Sequence, residues 1–264
     1  MADRIGAAFD AARGEGRAAL MPYMMGGFPN PDSSSAVADA YVEAGADVIE
    51  LGIPFSDPLA DGPVIHAAAT RALQAGATLE SVLEVCAGIA DRVPVVAMTY
   101  ANMALARGPE RFARALADAG AAGAIVPDLP IEEGGEIAET LRGAGLALVP
   151  LVAPTTPAER RTRICAAADG FVYVVSDTRT TGERDRLPAE VGELVEATKA
   201  DAPVPVAVGF GIGTPEQAAE VGRVADGVII GSRLVRAVGE AADTPAATAA
   251  VTEFIAAARA ALAR

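Results

Sequence analysis

Three carboxylates stand close together in residues 50–63, which read ELGIPFSDPLADGP. Glu50 lies inside the apolar run 47–54, and Asp57 and Asp61 follow in the loop after it. Because burial disfavours the charged form of a carboxyl group, we expect the pKa of Glu50 to be raised, so that it can deliver a proton at neutral pH. Asp61, in a more polar loop, is expected to stay ionised and to stabilise a developing positive charge. The pair is a candidate acid–base site, although Glu50 could equally cap a neighbouring turn.

The elements that position these residues are eight short apolar runs, with helix-like segments between them. The runs are nearly continuous in Val, Ile, Leu and Ala, which is typical of strands buried on both faces of a parallel sheet. The predicted strands are 19–25, 47–54, 93–100, 122–128, 146–153, 170–176, 204–211 and 227–232. We predict an α/β fold, a single (β/α)8 TIM barrel with an extra N-terminal helix, as one domain over residues 1–264. An open doubly wound sheet is the alternative.

In such a barrel the active site lies at the carboxyl ends of the strands and in the loops that follow them. By this rule Glu50 and Asp61 are site candidates at the second strand. Tyr100 and Asn102 follow the third strand, and Asp128 follows the fourth. These positions indicate where a site would form but do not by themselves assign a reaction.

Glycine-rich turns follow the last two predicted strands, as GFGIGTPEQ at 209–217 and within IIGSRLV at 229–235. A turn that runs into a helix start presents unpaired N–H groups, and two such turns side by side can hold a phosphate. The predicted donors are Gly211, Gly231 and Ser232. The alternative is that these glycines only permit tight turns.

The composition excludes several classes of function. The net charge of −14 argues against a nucleic-acid surface or an anionic membrane surface. The first 20 residues carry acids and lack a long apolar core, and the apolar runs are too short to cross a bilayer. We therefore expect a soluble, cytoplasmic protein. Cys86 and Cys165 have no metal-site spacing, and His66 is the only histidine, so no metal site is predicted.

The segment ELGIPFSDPLADGPVI resembles the signature of the tryptophan synthase alpha subunit family, ELG-(VI)-P-F-S-D-P-(LM)-A-D-G-P. MTYANM, VPDLP, GFGI and GS follow in the family's order, so the resemblance covers essentially the whole chain. It implies a lyase of tryptophan biosynthesis that cleaves indole-3-glycerol phosphate to indole and glyceraldehyde 3-phosphate. It also implies that this chain carries no cofactor and works in an αββα complex. The partner there is a PLP-dependent beta subunit, which joins the indole to serine.

The resemblance assigns roles to individual residues. Glu50 would transfer both protons of a retro-aldol cleavage, and Asp61 would stabilise the indolenine-like cation beside the indole N–H. Asp57 and Asn102 would face the beta subunit. The implied substrate-binding residues are Tyr23, Met98, Tyr100, Ile125, Tyr173, Thr181 and Phe210. The implied phosphate-binding residues are Gly182, Gly211, Gly231 and Ser232.

The chain departs from the family pattern in residues 176–182. The family reads close to S-R-x-G-x-T-G, whereas this chain has Asp177 in place of Arg and Arg179 in place of Gly. An Arg adds bulk to a loop that must close over substrate, and it restricts the backbone where Gly would not. One alternative function is therefore a catalytically weak barrel that mainly binds and activates the beta subunit.

A second alternative is a different phosphate-binding barrel enzyme, such as an isomerase or an aldolase. Such an enzyme would be expected to need a lysine at a strand end or a histidine-bound metal. Lys199 is the only lysine in the chain and lies in a helix-like segment, while His66 stands alone. Schiff-base and metal mechanisms are therefore disfavoured.

Overall fold

A computed structural model of the protein describes residues 3–175, 189–209 and 211–263. Within these residues nine strands form one sheet, and every pair of neighbouring strands is parallel. The strands are β1 (Ala19–Met25), β2 (Ile49–Gly52), β3 (Val95–Met98), β4 (Gly123–Ile125), β5 (Ala147–Val149), β6 (Leu151–Val152), β7 (Val172–Val175), β8 (Val206–Gly209) and β9 (Gly227–Ile230).

The sheet closes on itself at the fifth predicted strand. The strand order is β5-β4-β3-β2-β1-β9-β8-β7-β6, so β5 and β6 stand at its two ends. These two strands are consecutive in the chain and are separated by Pro150 alone. Proline has no N–H to give to the ladder, which accounts for the interruption. Since β5 pairs with β4 and β6 pairs with β7, the run 146–153 joins both edges into an eight-stranded barrel, as predicted.

The described residues also form twelve helices, most of which lie between successive strands. They are α1 (Arg4–Gly14), α2 (Pro31–Glu43), α3 (Pro63–Gln74), α4 (Leu79–Ile89), α5 (Ala101–Arg107), α6 (Pro109–Asp118), α7 (Gly135–Gly143), α8 (Ala158–Ala166), α9 (Ala189–Asp201), α10 (Pro215–Gly222), α11 (Ser232–Glu240) and α12 (Thr244–Leu262). Several begin with proline in the first turn, where a missing N–H is harmless. No helix in the described part of the chain is long and apolar enough to span a membrane.

Helix α1 is the predicted extra N-terminal helix, and it packs against the amino-terminal end of the barrel. Its Ile5 and Phe9 are buried in the interior cluster, and the Phe9 ring lies 5.8 Å from that of Phe171. The Arg4 guanidinium donates to the carbonyl oxygens of Gly120 (3.1 Å) and Val93 (3.3 Å). This helix therefore covers the end of the barrel opposite the carboxyl ends of the strands.

Side chains alternate in direction along each strand, so that some fill the interior of the barrel and others lie at its open end. Successive strand residues face opposite sides, so every second residue faces the interior. Met21, Val48 and Ile125 belong to the interior cluster. Tyr23 lies two residues after Met21, and Glu50 lies two residues after Val48, so both occupy the next interior positions. Tyr23 and Glu50 are paired in the β1–β2 register. The fold thus brings Glu50 to the carboxyl end of the barrel, on its inner side.

Candidate active site

Glu50 is held inside the barrel by its neighbours on both sides. It lies opposite Tyr23 of β1 and Val96 of β3, and only 2% of its surface is exposed. Among the residues that the structure describes, its Oε2 atom has no hydrogen-bond partner. Burial, with a smaller effect of the nearby Asp61 charge, raises the pKa of Glu50 to about 8. Glu50 therefore holds a proton at neutral pH, as its apolar flanks predicted.

Asp61 lies in the loop between β2 and α3 and is half-buried. Burial raises the pKa of its carboxyl group, while a hydrogen bond with the Tyr100 side chain and the charge of His66 act in the opposite direction. The environments of the two carboxyls differ, because two neighbours counter the effect of burial on Asp61, whereas the Asp61 charge adds to the effect of burial on Glu50. The ionised state of Asp61 stays a prediction.

Tyr100 organises the loop that carries Asp61. The Ala60 N–H donates to the Tyr100 Oη atom at 3.1 Å, and the Phe55 ring stacks on the Tyr100 ring with centroids 5.4 Å apart. Next to it, the Ala101 N–H donates to the Asp128 Oδ1 atom at 2.8 Å. The sequence placed Tyr100 and Asp128 after neighbouring strands but gave no sign of these contacts or of the part played by Phe55.

Two tyrosines stand beside the carboxylates at the mouth of the barrel. Burial raises the pKa of both Tyr23 and Tyr173, and Glu50 adds to the effect in each case. Each hydroxyl lies against a glycine on an adjacent strand, because a Cβ atom on Gly52 would come within 2.1 Å of the Tyr23 oxygen and one on Gly209 within 2.4 Å of the Tyr173 oxygen. These glycines leave the space that the two phenol rings occupy.

The other predicted substrate-binding residues are placed unequally. Met98 and Tyr173 are half-buried on interior positions of their strands, whereas Ile125 is fully buried in the interior cluster. Thr181 and Phe210, together with the predicted phosphate-binding Gly182, lie outside the described residues. The binding roles of all these residues stay predictions.

The start of α11 offers the clearest cradle for an anion. Gly231 is its N-cap and provides no side-chain cap, while Ser232 is buried at the first helical position. By contrast, the N-terminus of α10 is already satisfied, since Thr214 and Gln217 cap each other's backbone N–H groups. Gly211 has a φ of +70°, a conformation that favours glycine. Free N–H groups at a helix N-terminus suit a phosphate, and the phosphate-binding roles of Gly231 and Ser232 stay predictions.

Asp57 and Asn102 are both exposed, in the loop after β2 and on α5 respectively. Two leucines in the same segments, Leu59 and Leu105, are 82% and 59% exposed. A contiguous exposed apolar patch rimmed by polar residues is typical of a protein-binding surface, and these leucines would contribute to such a patch if they lie together. Among the described residues no group of three or more His, Cys, Asp or Glu side chains could hold a metal ion.

Comparisons with known proteins agree on one family. The family model described as "Tryptophan synthase alpha chain" matches residues 9–263. The tryptophan synthase alpha chain of Carboxydothermus hydrogenoformans is 50% identical over 234 residues, which are 88% of each chain. That of Rhizorhabdus wittichii is 46% identical over 264 residues, covering 99% of this chain and 97% of the relative. A solved structure of Mycobacterium tuberculosis tryptophan synthase superposes with a TM-score of 0.91 at 38% identity, covering 99% of this chain and 98% of the other.

Proposed function

We infer the function of this chain from the fact that it belongs to the tryptophan synthase alpha chain family. The alpha subunit cleaves indole-3-glycerol phosphate to indole and glyceraldehyde 3-phosphate, and the chain is accordingly a lyase of tryptophan biosynthesis. The predicted resemblance and activity are thereby confirmed. The alternative of a catalytically weak barrel that mainly binds and activates the beta subunit is not favoured.

Glu50 is proposed as the group that moves both protons. In its protonated form it gives a proton to C3 of the indole ring, which leaves a positive charge on the ring. The C3–C3′ bond then breaks with its electron pair returning to the ring, and the 3′-hydroxyl becomes the aldehyde and gives its proton to the Glu50 carboxylate. The acid is regenerated, so the step is balanced. The observation that supports this role is that the Glu50 carboxyl group is buried at the carboxyl end of the barrel strands, with a pKa raised to about 8.

Asp61 is proposed to stabilise the positive charge that forms after C3 is protonated. A carboxylate beside the indole N–H attracts that charge and accepts a hydrogen bond from the nitrogen. The partial burial of Asp61 supports this role, because electrostatic interactions strengthen as water is excluded. Burial raises the pKa of Asp61, and the interactions with Tyr100 and His66 act against that rise, in favour of the ionised form.

The remaining binding roles follow the same arrangement. The interior positions of Tyr23, Met98 and Tyr173 above the core support an apolar slot for the indole ring. Within the described residues α11 begins without a side-chain cap, which supports the proposal that Gly231 and Ser232 bind the phosphate, with Gly211 in the turn that follows the neighbouring strand β8. Thr181, Gly182, Phe210 and Ile125 are proposed from the resemblance alone.

Family membership implies a beta-subunit partner. We further propose an αββα assembly in the cytoplasm, in which PLP belongs to the beta subunit. The chain itself needs no cofactor for its own step, because protonating C3 and deprotonating a hydroxyl require only acid–base groups. The exposure of Asp57 and Asn102, with Leu59 and Leu105 beside them, supports docking through this end of the barrel. One domain over residues 1–264 is proposed as well.

The test is indole release from indole-3-glycerol phosphate by the purified chain, alone and with a beta subunit. Glu50→Gln and Asp61→Asn are each expected to slow release by on the order of 10²–10⁴-fold, because each removes a group that acts on the reacting atoms. Glu84→Gln, the same carboxylate-to-amide exchange at an exposed site on α4, serves as control. Full activity in Glu50→Gln or Asp61→Asn would contradict the assigned roles. An inactive wild type that still binds and activates the beta subunit would favour the alternative.

A further inference from the structure

Asp128 acts on the N-terminus of a helix that belongs to a different loop. It follows β4, yet its Oδ1 atom accepts the backbone N–H of Ala101, the first residue of α5, at 2.8 Å. The N-cap of α5 is Tyr100, whose side chain makes no capping hydrogen bond. Asp128 therefore does from a neighbouring strand what an N-cap side chain does within a helix.

Tyr100 is fixed to β4 and its loop on both sides. The Thr99 N–H donates to the Ile125 carbonyl oxygen at 3.0 Å, as an extension of the β3–β4 ladder. The Ala101 N–H is held by Asp128, so Tyr100 lies between two anchored peptide groups. Loss of the second anchor would free the first turn of α5, and the motion would be largest at the far end of the long Tyr100 side chain.

The far end of that side chain meets the loop of Asp61. The hydroxyl accepts the Ala60 N–H at 3.1 Å, the ring stacks on Phe55, and the hydroxyl interacts with the Asp61 carboxylate itself. Phe55, Ala60 and Asp61 all belong to the loop between β2 and α3. The Asp128–Ala101 and Tyr100–Ala60 hydrogen bonds are 2.8 Å and 3.1 Å long, and Ala60 adjoins Asp61 in the chain, so direct contacts join Asp128 to the loop of Asp61.

We propose that Asp128 is a positioning residue for the cleavage reaction, which fixes the start of α5 and so holds Tyr100 where it orients the Asp61 carboxylate. The inference rests on the proposed role of Asp61. Four titratable groups interact electrostatically with Asp61: Glu50 from β2, Tyr23 from β1, Tyr100 from the start of α5 and His66 from α3. Of these, only Tyr100 adjoins the peptide that Asp128 holds.

The test compares Asp128→Ala with Asp128→Asn by the pH dependence of indole release. Asp128→Ala removes the acceptor and is expected to lower kcat by about 10- to 100-fold, with little change in KM, because small displacements of a reacting group have effects of this size. The acid limb of its pH–rate profile should move to higher pH. A weakened hydrogen bond from Tyr100 lets the pKa of the Asp61 carboxyl group rise further. Asp128→Asn retains an oxygen acceptor and should keep the wild-type acid limb and most of the rate.

Two further variants separate positioning from general stability. Asp243→Ala removes an equivalent bond, since the Asp243 Oδ1 atom accepts the Ala246 N–H at 2.8 Å at the start of α12, and it should leave the acid limb unchanged. Tyr100→Phe removes the hydroxyl, and adding Asp128→Ala to it should shift the acid limb no further. An unshifted limb in Asp128→Ala, or an equal further shift in the Tyr100→Phe background, would overturn the proposal.

The outcomes also distinguish this inference from the function on which it rests. If Asp128→Ala does not fold, Asp128→Asn carries the test, and a large loss of rate in that variant overturns the proposal because its acceptor oxygen is still present. If Asp61→Asn retains full activity, the proposed role of Asp61 fails whatever Asp128 does. If Asp61→Asn is inactive while Asp128→Ala behaves as wild type, only the positioning role fails.

Discussion

A buried, protonated glutamate should destabilise the fold increasingly as pH rises, and Glu50→Gln should remove that effect. The pKa of Glu50 is raised from 4.5 to about 8. Between these values the unfolded chain loses a proton that the folded chain keeps, so the free energy of unfolding falls as pH rises. Below about pH 4.5 both states are protonated and the penalty vanishes. This dependence of stability on pH is opposite in sign to that of a salt-bridged carboxylate, whose contribution to stability is lost as pH falls.

The magnitude follows from the size of the shift. One pKa unit corresponds to about 1.4 kcal/mol, so the penalty grows from about 1 kcal/mol at pH 5 to about 4 kcal/mol at pH 8. A glutamine cannot ionise, so whatever it gains or loses in packing is independent of pH. The stability of Glu50→Gln relative to wild type should therefore increase by about 3 kcal/mol between pH 5 and pH 8.

Urea denaturation of both proteins at pH 5, 6, 7 and 8 measures this difference directly. Glu84→Gln, at an exposed position on α4, controls for the exchange of a carboxylate for an amide. A stability difference between Glu50→Gln and wild type that stays constant over this range would mean that Glu50 titrates alike in the folded and unfolded chains, and that its pKa is not raised by folding.

Four other substitutions test the packing beside Tyr23, an ion pair near the start of β1 and the proposed docking surface. Gly52→Ala should destabilise by about 1–3 kcal/mol in thermal denaturation, because its Cβ atom would lie 2.1 Å from the Tyr23 oxygen, and Tyr23→Phe should recover part of the loss. Arg17→Met should cost about 3 kcal/mol in urea denaturation, since the Arg17 side chain is 2% exposed and pairs with Asp47; a change below ~1 kcal/mol would count against a buried pair. Leu59→Ser should weaken beta-subunit binding by about 10-fold in titration calorimetry without altering the activity of the isolated chain. Leu59 is 82% exposed, so its apolar side chain would be buried only when the partner docks.

The barrel could be predicted from the sequence because its strands are buried on both faces. All eight apolar runs contain strands; β1 has the predicted bounds 19–25, and the other strands are shorter than their runs. The split at Pro150 illustrates the limit of an apolar pattern, since the run 146–153 is continuous in hydrophobicity while its hydrogen bonding is not. The extra helix α1 also lies where it was predicted.

The candidate site was predictable only where a local pattern carried the information. The apolar neighbours of Glu50 predicted its burial and raised pKa, because both depend on residues adjacent in the sequence. The contacts of Phe55 with Tyr100, and of Asp128 with Ala101, join loops of different strands. No periodicity marks such contacts, so they required the three-dimensional arrangement.

The proposed role of a protonated Glu50 in starting the cleavage can be measured through the pH dependence of indole release. The rate for the wild-type chain with its beta subunit should fall as pH rises through about 8, because Glu50 then loses the proton that it must deliver. Glu50→Gln should show only a small residual rate without this alkaline limb. A wild-type rate that continues to rise above pH 8, or an unchanged alkaline limb in Glu50→Gln, would mean that Glu50 is not the acid that protonates the indole ring.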